Sequence, residues 1–225
     1  MIKIVLLDVD NTLLDFNLCA DESMHIVADK MGIVLPDNIF EVFHGINTVL
    51  WHDIEKGKLT RDELHKIRWN MVFDKVNIKA DGIGFEKLFV STLHESAVPV
   101  VGAKELLEYL HGKYQLCVAS NAAEQQQLSR LKKADMLKYM EYLFVSEKIG
   151  APKPSANFFD ACISALGDVR LDEIMMIGDS LSADIIGAHD YGLKTCWYNH
   201  EKTDTPPDIC ADYIVNSLDE IKAIL

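Results

Sequence analysis

Ile2-Lys3-Ile4-Val5-Leu6-Leu7-Asp8-Val9-Asp10-Asn11-Thr12 opens on a short, β-branched apolar run and stops at two aspartates one residue apart. A near-continuous apolar strand is what a parallel sheet covered on both faces requires, whereas a half-exposed strand would alternate. Comparable runs stand at Leu116–Ala119, Ile174–Ile177 and Thr195–Tyr198, with weaker ones at Tyr142–Val145 and Tyr213–Val215. Helical spacing lies between them. Ala103, Leu106, Leu107 and Leu110 follow i, i+3, i+4, i+7 ahead of Gly112, and Phe159, Cys162, Ile163 and Leu166 do so ahead of Gly167. A further helix is expected over 182–191, ending at Gly192. Strand and helix thus alternate from about residue 100 onward, which predicts a doubly wound α/β domain.

The stretch 15–96 follows another pattern. Met24, Val27, Ala28 and Met31 form one helical stripe closed by Gly32. Thr60-Arg61-Asp62-Glu63 has the spacing of a capping box, with Leu64, Ile67, Arg68 and Met71 continuing that helix. Strand signals are sparse. The expected organisation is therefore an α/β core of residues 1–14 and 97–225, interrupted after its first strand by a helical insertion over 15–96.

Composition narrows the function. With 22 Lys+Arg against 35 Asp+Glu, the net charge is −13, which argues against a nucleic-acid polymer as partner because backbone binding needs clustered cations. A small phosphate ester is not excluded, since one metal ion and one lysine reverse the charge locally. No apolar run approaches ~18 residues, so no membrane span is expected. The N-terminal run is too short for a signal peptide and ends in carboxylates. Five scattered cysteines without a C-x-x-C suit free thiols in a reducing cytoplasm.

Ligands of open parallel sheets bind at the carboxyl ends of the strands. Alternation along the first strand lets Asp8 and Asp10 project the same way. The next strong strands run into Ser120-Asn121 and into Gly178-Asp179-Ser180, with Asp184 soon after. Any one of these aspartates alone reads as a turn residue. Together they place four carboxylates and a hydroxyl on one sheet edge, where mutual repulsion is costly unless a hard cation is held between them. Mg²⁺ fits, because it takes a few carboxylates and keeps water for the rest. Lys153 lies between two prolines in Gly150-Ala151-Pro152-Lys153-Pro154, on stiff backbone that would hold it toward an anion.

Asp8-Val9-Asp10-Asn11-Thr12-Leu13, Ser120-Asn121, Lys153-Pro154 and Gly178-Asp179-Ser180-Leu181-Ser182-Ala183-Asp184 resemble, in order, the four motifs of the haloacid dehalogenase (HAD) superfamily. The insertion resembles that superfamily's C1 helical cap, and Val98-Pro99-Val100-Val101-Gly102-Ala103 the usual return into its Rossmann-like core. The resemblance implies that Asp8 is a nucleophile forming an aspartyl-phosphate and that Asp10 is the general acid and base. It implies Mg²⁺ held by Asp8, the Asp10 backbone carbonyl and Asp179, and phosphate oxygens held by Ser120, the Asn121 backbone and Lys153. Thr12 would orient these groups, and Asp184 would either orient them or touch the metal through a water. Ala122 replaces the glycine frequent after the motif-two Asn. The dehalogenases of the superfamily lack the second motif-one aspartate, so Asp10 argues for a phosphatase.

Gly45-Ile46-Asn47-Thr48-Val49-Leu50-Trp51 through Thr60, together with Gly192-Leu193-Lys194-Thr195-Cys196-Trp197-Tyr198-Asn199, resembles the house-cleaning pyrimidine 5′-nucleotidases of bacteria. The reaction expected is Mg²⁺-dependent hydrolysis of a small phosphorylated metabolite, a nucleoside 5′-monophosphate with a pyrimidine base. Phe16 or Trp51 would stack on the base, and Asn17 or Asn47 would hydrogen-bond it. Trp51 reads equally as a cap-core tryptophan. A sugar-phosphate phosphatase, a β-phosphoglucomutase-like phosphomutase and a non-catalytic metal-binding module are the alternatives. The eight histidines show no zinc spacing. Asp81-Gly82-Ile83-Gly84 reads as a turn opening a helix, Glu124-Gln125-Gln126-Gln127 as a polar helix face, and Ser180 as a helix cap.

Overall fold

The computed structural model describes residues 1–206 and 209–225. Two compact units emerge, Met1–Asp15 with Val98–Leu225, and Phe16–Ala97.

The first unit is built on a six-stranded sheet in the order β3-β2-β1-β4-β5-β6. Its strands are β1 (Ile4–Leu7), β2 (Gln115–Ser120), β3 (Tyr142–Val145), β4 (Ile174–Gly178), β5 (Lys194–Tyr198) and β6 (Tyr213–Val215). Every pairing is parallel. All four residues of β1 are buried, as a central strand covered on both faces demands. Leu7 lies opposite both Val118 and Ile177, so Asp8, one residue on, stands level with the ends of both neighbouring strands. The order reverses direction beside β1, and that is where an open α/β sheet binds its ligand. One face of the sheet packs Leu6, Ala119 and Met176 against Phe158, Phe159 and Cys162 of the helix Ala156–Leu166. Each such buried aromatic or aliphatic side chain contributes about 1.5–3 kcal/mol.

The second unit is a helical insertion with four helices: α1 (Phe16–Met31), α2 (Ile39–Glu55), α3 (Arg61–Lys75) and α4 (Gly82–His94). The Thr60–Glu63 capping box is formed at the start of α3, and Asp81 caps α4 by accepting from Gly84 N at 2.9 Å. The α3 stripe differs from the one read in the sequence. Met71 is exposed, and the buried face is Leu64, Arg68, Trp69, Val72 and Phe73. Aromatic bulk sets this rotation: Trp69 packs against Phe43, Phe73, Phe85 and Phe89 with ring centroids 4.1–5.4 Å apart.

Where the insertion leaves and rejoins the first unit, the two chain segments bond to each other. Asp15 N donates to Val98 O at 2.9 Å, and Val100 N to Leu13 O at 3.0 Å. No helix among the described residues is long and apolar enough to cross a membrane.

Candidate active site

The centre of the site is the Lys153 ammonium. It is buried, and its three protons all have acceptors: Asp8 Oδ1 at 2.8 Å, Asp184 Oδ1 at 2.6 Å and the Ala119 carbonyl at 2.5 Å. Asn121 fixes the lysine's backbone. Its Oδ1 accepts from Lys153 N at 2.8 Å, while its Nδ2 donates to Lys153 O at 3.0 Å. The Lys153–Pro154 peptide is cis. The Asn121 side chain thus staples the end of β2 to the lysine loop.

Asp184 reaches this lysine from an unusual turn. Residues Leu181–Ile186 form one π-helical segment, a rare form that is frequent at functional sites. Ser180 caps it, accepting from Ala183 N at 3.2 Å, and Ser180 N in turn donates to Asp184 Oδ2 at 3.1 Å. Gly178 makes room: a Cβ there would stand 2.1 Å from Asp184 Oδ2. Asp179 is anchored separately, its N–H donating to Thr12 Oγ1 at 3.1 Å and its carbonyl accepting from Trp197 Nε1 at 2.9 Å.

Asp8, Asp179 and Asp184 can each offer a carboxylate oxygen within 4.8 Å of the others. With Lys153 as the counter-charge among them, three ionised carboxylates leave two negative charges in excess. Burial is the first cause of their altered acidities, with crowding of like charge adding to it at Asp8 and Asp179. Burial pushes the Asp8 carboxyl up to about 7; Lys153 opposes the rise, and Asp184 and Asp10 add to it. Asp179 is raised well above the usual carboxylate range by burial and by the charges of Asp8 and Asp184. Asp184 is raised by burial, against the pull of Lys153. Burial disfavours the lysine's charge, but Asp184 and Asp8 outweigh it and hold Lys153 above its ordinary range. An all-oxygen donor set with two excess negative charges suits a hard divalent cation such as Mg²⁺.

Asp10 departs from the sequence expectation that four carboxylates converge. The strand β1 ends at Leu7, so Asp10 lies in the turn beyond it rather than on the alternating strand. That turn is tight: Asn11 has a φ of 60°, and the N–H groups of Leu13 and Leu14 both bond Val9 O, at 2.9 and 2.8 Å. The Asp10 carboxylate points to Gln127 and Arg130 of the helix Glu124–Lys133. Gln127 Nε2 donates to Asp10 Oδ2 at 2.7 Å and to Ser120 Oγ at 3.0 Å, and Arg130 NH1 donates to Asp10 Oδ1. Sequence reasoning missed both residues, because the Glu124–Gln127 run read as a polar face. Gln127 and Arg130 are fully buried. Their spacing with Leu131 (i, i+3, i+4) was the signal that all three share the inward face. Ala122 does not disturb the turn after Asn121: its N–H donates to Ser120 Oγ at 3.2 Å.

The insertion's expected specificity residues are placed as follows. Phe16 and Asn17 open α1 and are half-buried. Asn47 is buried, with Oδ1 accepting from Arg68 NH1 at 2.8 Å. Arg68 also donates to both oxygens of Glu86, at 3.1 and 2.5 Å, and His65 reaches Glu86 at 2.7 Å. Trp51 is half-buried and packs against Leu50, Ile54 and Leu64. Asn47 therefore has its carbonyl committed inside the insertion, and Trp51 contributes to a core cluster.

This sheet-edge arrangement is that of one hydrolase class, and residues 2–192 match the family described as haloacid dehalogenase-like hydrolases. The chain belongs to that family. It is 30% identical to the HAD-hydrolase YfnB of Bacillus subtilis over 99% of this chain and 95% of the relative. Pyrimidine 5′-nucleotidase YjjG of Escherichia coli is 26% identical, covering 98% and 96% of the two chains. Pyrimidine 5′-nucleotidase PynA of Streptococcus pneumoniae is 30% identical over 88% and 84%. The crystal structure of YfnB bound to magnesium superposes with a TM-score of 0.93, covering 100% of this chain and 98% of that one.

Proposed function

We propose that the protein is a Mg²⁺-dependent phosphomonoesterase that works through an aspartyl-phosphate on Asp8 and takes nucleoside 5′-monophosphates, preferring pyrimidine bases. The observation that carries the reading is the buried cluster in which Lys153 bonds Asp8 and Asp184 while Asp179 stands beside them. In the first half of the reaction, an Asp8 oxygen bonds to phosphorus as the ester P–O bond breaks, and Asp10 gives its proton to the leaving alkoxide. In the second half, water attacks phosphorus and gives a proton to Asp10. The bond to Asp8 then breaks, and inorganic phosphate leaves. Ser120 and Lys153 are proposed to hold phosphate oxygens, with the Asn121 backbone. Because all three Lys153 protons are engaged, a phosphate oxygen takes the place that Asp8 holds at rest.

Asp8, the Asp10 carbonyl and Asp179 would hold the Mg²⁺, with Asp184 and Thr12 orienting them; when bound, the ion neutralises charge developing on the phosphoryl group. The two pyrimidine 5′-nucleotidases among the relatives support the substrate class. Five free cysteines, four of them buried, are in keeping with the cytoplasm. The test is phosphate release from a panel of nucleoside monophosphates and sugar phosphates, with Asp8→Asn as control. Selective release from pyrimidine nucleotides, lost in the variant, is the expected result. Release from sugar phosphates alone would overturn the substrate class and keep the chemistry. A requirement for a bisphosphate with little net release would identify a phosphomutase instead.

A further inference from the structure

Two buried side chains outside the four motifs touch two of the residues that the proposed reaction uses. Gln127 and Arg130 lie one turn apart on the helix Glu124–Lys133, on its inward face beside Leu131. Between them they engage both oxygens of Asp10. The Gln127 amide has two protons, and its contacts direct one to Asp10 and the other to Ser120 Oγ. Its own carbonyl faces Arg130 NH1 at 3.5 Å. Turning the amide over would set a carbonyl against a carboxylate, so the charges around it fix its sense.

The effect on Ser120 follows from counting lone pairs. A hydroxyl has two acceptor sites and one proton. Both acceptor sites of Ser120 Oγ are taken, by Gln127 Nε2 and by Ala122 N–H at 3.2 Å. Its proton is then left to donate, which is what a phosphate oxygen requires. Arg130 is not explained by stability. A buried guanidinium is costly to desolvate, and a buried ion pair such as Arg130–Asp10 is weak evidence of a gain in stability.

We propose that Gln127 and Arg130 are positioning residues that hold the Asp10 carboxylate and the Ser120 hydroxyl in the orientations needed for proton transfer to the leaving oxygen and for phosphate binding. The inference rests on the reading of Asp10 as general acid and base. Arg130 bonds Asp10 directly and reaches Ser120 only through Gln127, whereas Gln127 bonds Asp10 and Ser120 themselves, so the two variants should differ in how far they disturb phosphate binding.

The test compares kcat/KM for p-nitrophenyl phosphate, whose leaving group needs no proton, with kcat/KM for the alkyl esters uridine 5′-monophosphate and ribose 5-phosphate. Arg130→Met should lower the alkyl values by about 100-fold, the scale of a general acid's contribution, and the aryl value by less than about tenfold. With p-nitrophenyl phosphate its kcat should fall further than kcat/KM. A burst of p-nitrophenolate should appear, because the second half of the reaction still needs Asp10 as base. Arg130→Lys should recover part of the alkyl activity. Gln127→Met should lower both classes, the alkyl one more. The Asp10 side chain is 28% exposed, so water can solvate it in Arg130→Met and the variant should fold. If it does not fold, the alkyl-to-aryl ratio of Gln127→Met decides alone. Equal losses on both classes of ester, or no loss, overturn the proposal. Wild-type protein that hydrolyses none of the three esters overturns the functional reading instead.

Discussion

Replacing Gly187 by alanine tests how rigidly the fold holds Lys153. Gly187 begins a short helix, Gly187–Tyr191, with a φ of −61°, so its backbone accepts an alanine. Helix propensity even favours the change by about 1 kcal/mol. The obstacle is steric: the new Cβ would stand 2.4 Å from Pro154 Cβ and 2.7 Å from Pro154 Cα. Carbon atoms pack at about 3.5–4.0 Å, so the two segments must separate by about 1 Å. Pro154 is the residue next to Lys153, whose Nζ bonds Asp8 at 2.8 Å and Asp184 at 2.6 Å. Misplacement of a reacting group by that distance costs on the order of 100-fold in rate. Overpacking costs about 1–3 kcal/mol, which the propensity gain reduces to about 0–2 kcal/mol. At roughly 2–4 °C per kcal/mol for a chain of this size, Tm should fall by no more than about 8 °C. The assay pairs kcat/KM for p-nitrophenyl phosphate in Mg²⁺ with a thermal melt. A large loss of rate in a protein that still melts cooperatively is expected. A folded variant with wild-type kcat/KM would refute the claim that the Gly187 contact sets the lysine.

Other perturbations reach neighbouring parts of the structure. Because burial lifts the Asp8 pKa from 3.8 to about 7, the folded metal-free protein binds the Asp8 proton more tightly than the unfolded chain. This contribution to stability is complete below the unfolded pKa and is lost as pH rises through about 7. Without metal, Asp8→Asn should therefore gain stability over wild type between pH 5 and pH 8, by denaturant titration; an unchanged difference would contradict the burial argument. Mg²⁺ should stabilise wild type at pH 8 and stabilise Asp8→Asn less, read as the shift in melting temperature. Gly178→Ala would drive a Cβ to 2.1 Å from Asp184 Oδ2 and should weaken Mg²⁺ binding by isothermal calorimetry, whereas unchanged affinity would show that Asp184 can move freely. In the insertion, Arg68→Met leaves the buried Glu86 with His65 as its side-chain partner and should cost up to about 3–5 kcal/mol; Arg68→Met with Glu86→Gln should recover part of it.

Much of the sheet was legible because a buried parallel strand has a strong local signature. All six apolar runs became strands, with ends shifted by at most two residues at the first. The helical insertion was legible from its 3.6-residue periodicity, and the Thr60 capping box formed as spaced. The rotation of α3 was not, because Met71 and Trp69 are both apolar and only the surrounding rings select Trp69 for the core. In the site, Asp8 and Asp179 stood out as carboxylates just past strand ends, Asp184 as a third one soon after, and Lys153 as a lysine held between two prolines. Asp10 was visible as a residue but not as to where it points, since its turn leaves the strand. Gln127 and Arg130 were hard to read because polar side chains suggest an exposed face; the spacing they share with Leu131 hints at the inward one, but their partner Asp10, 117 and 120 residues away, gives no local sign of what they bind.

The seam at Leu13–Asp15 and Val98–Val100 bears on how such a protein can be altered. The two bonded segments bring the departure and return points of the chain side by side, so that from the sheet's side the insertion occupies the position of a hairpin loop. Closing an unstructured loop of n residues costs about (3/2)RT ln n, which grows so slowly that a long segment is scarcely dearer than a short one. An inserted body with a core of its own need only present its two ends together. The seam is thus a socket: a helical body of another length needs only to deliver its two ends to the bonded segments Leu13–Asp15 and Val98–Val100, which is where a designed exchange would be cut.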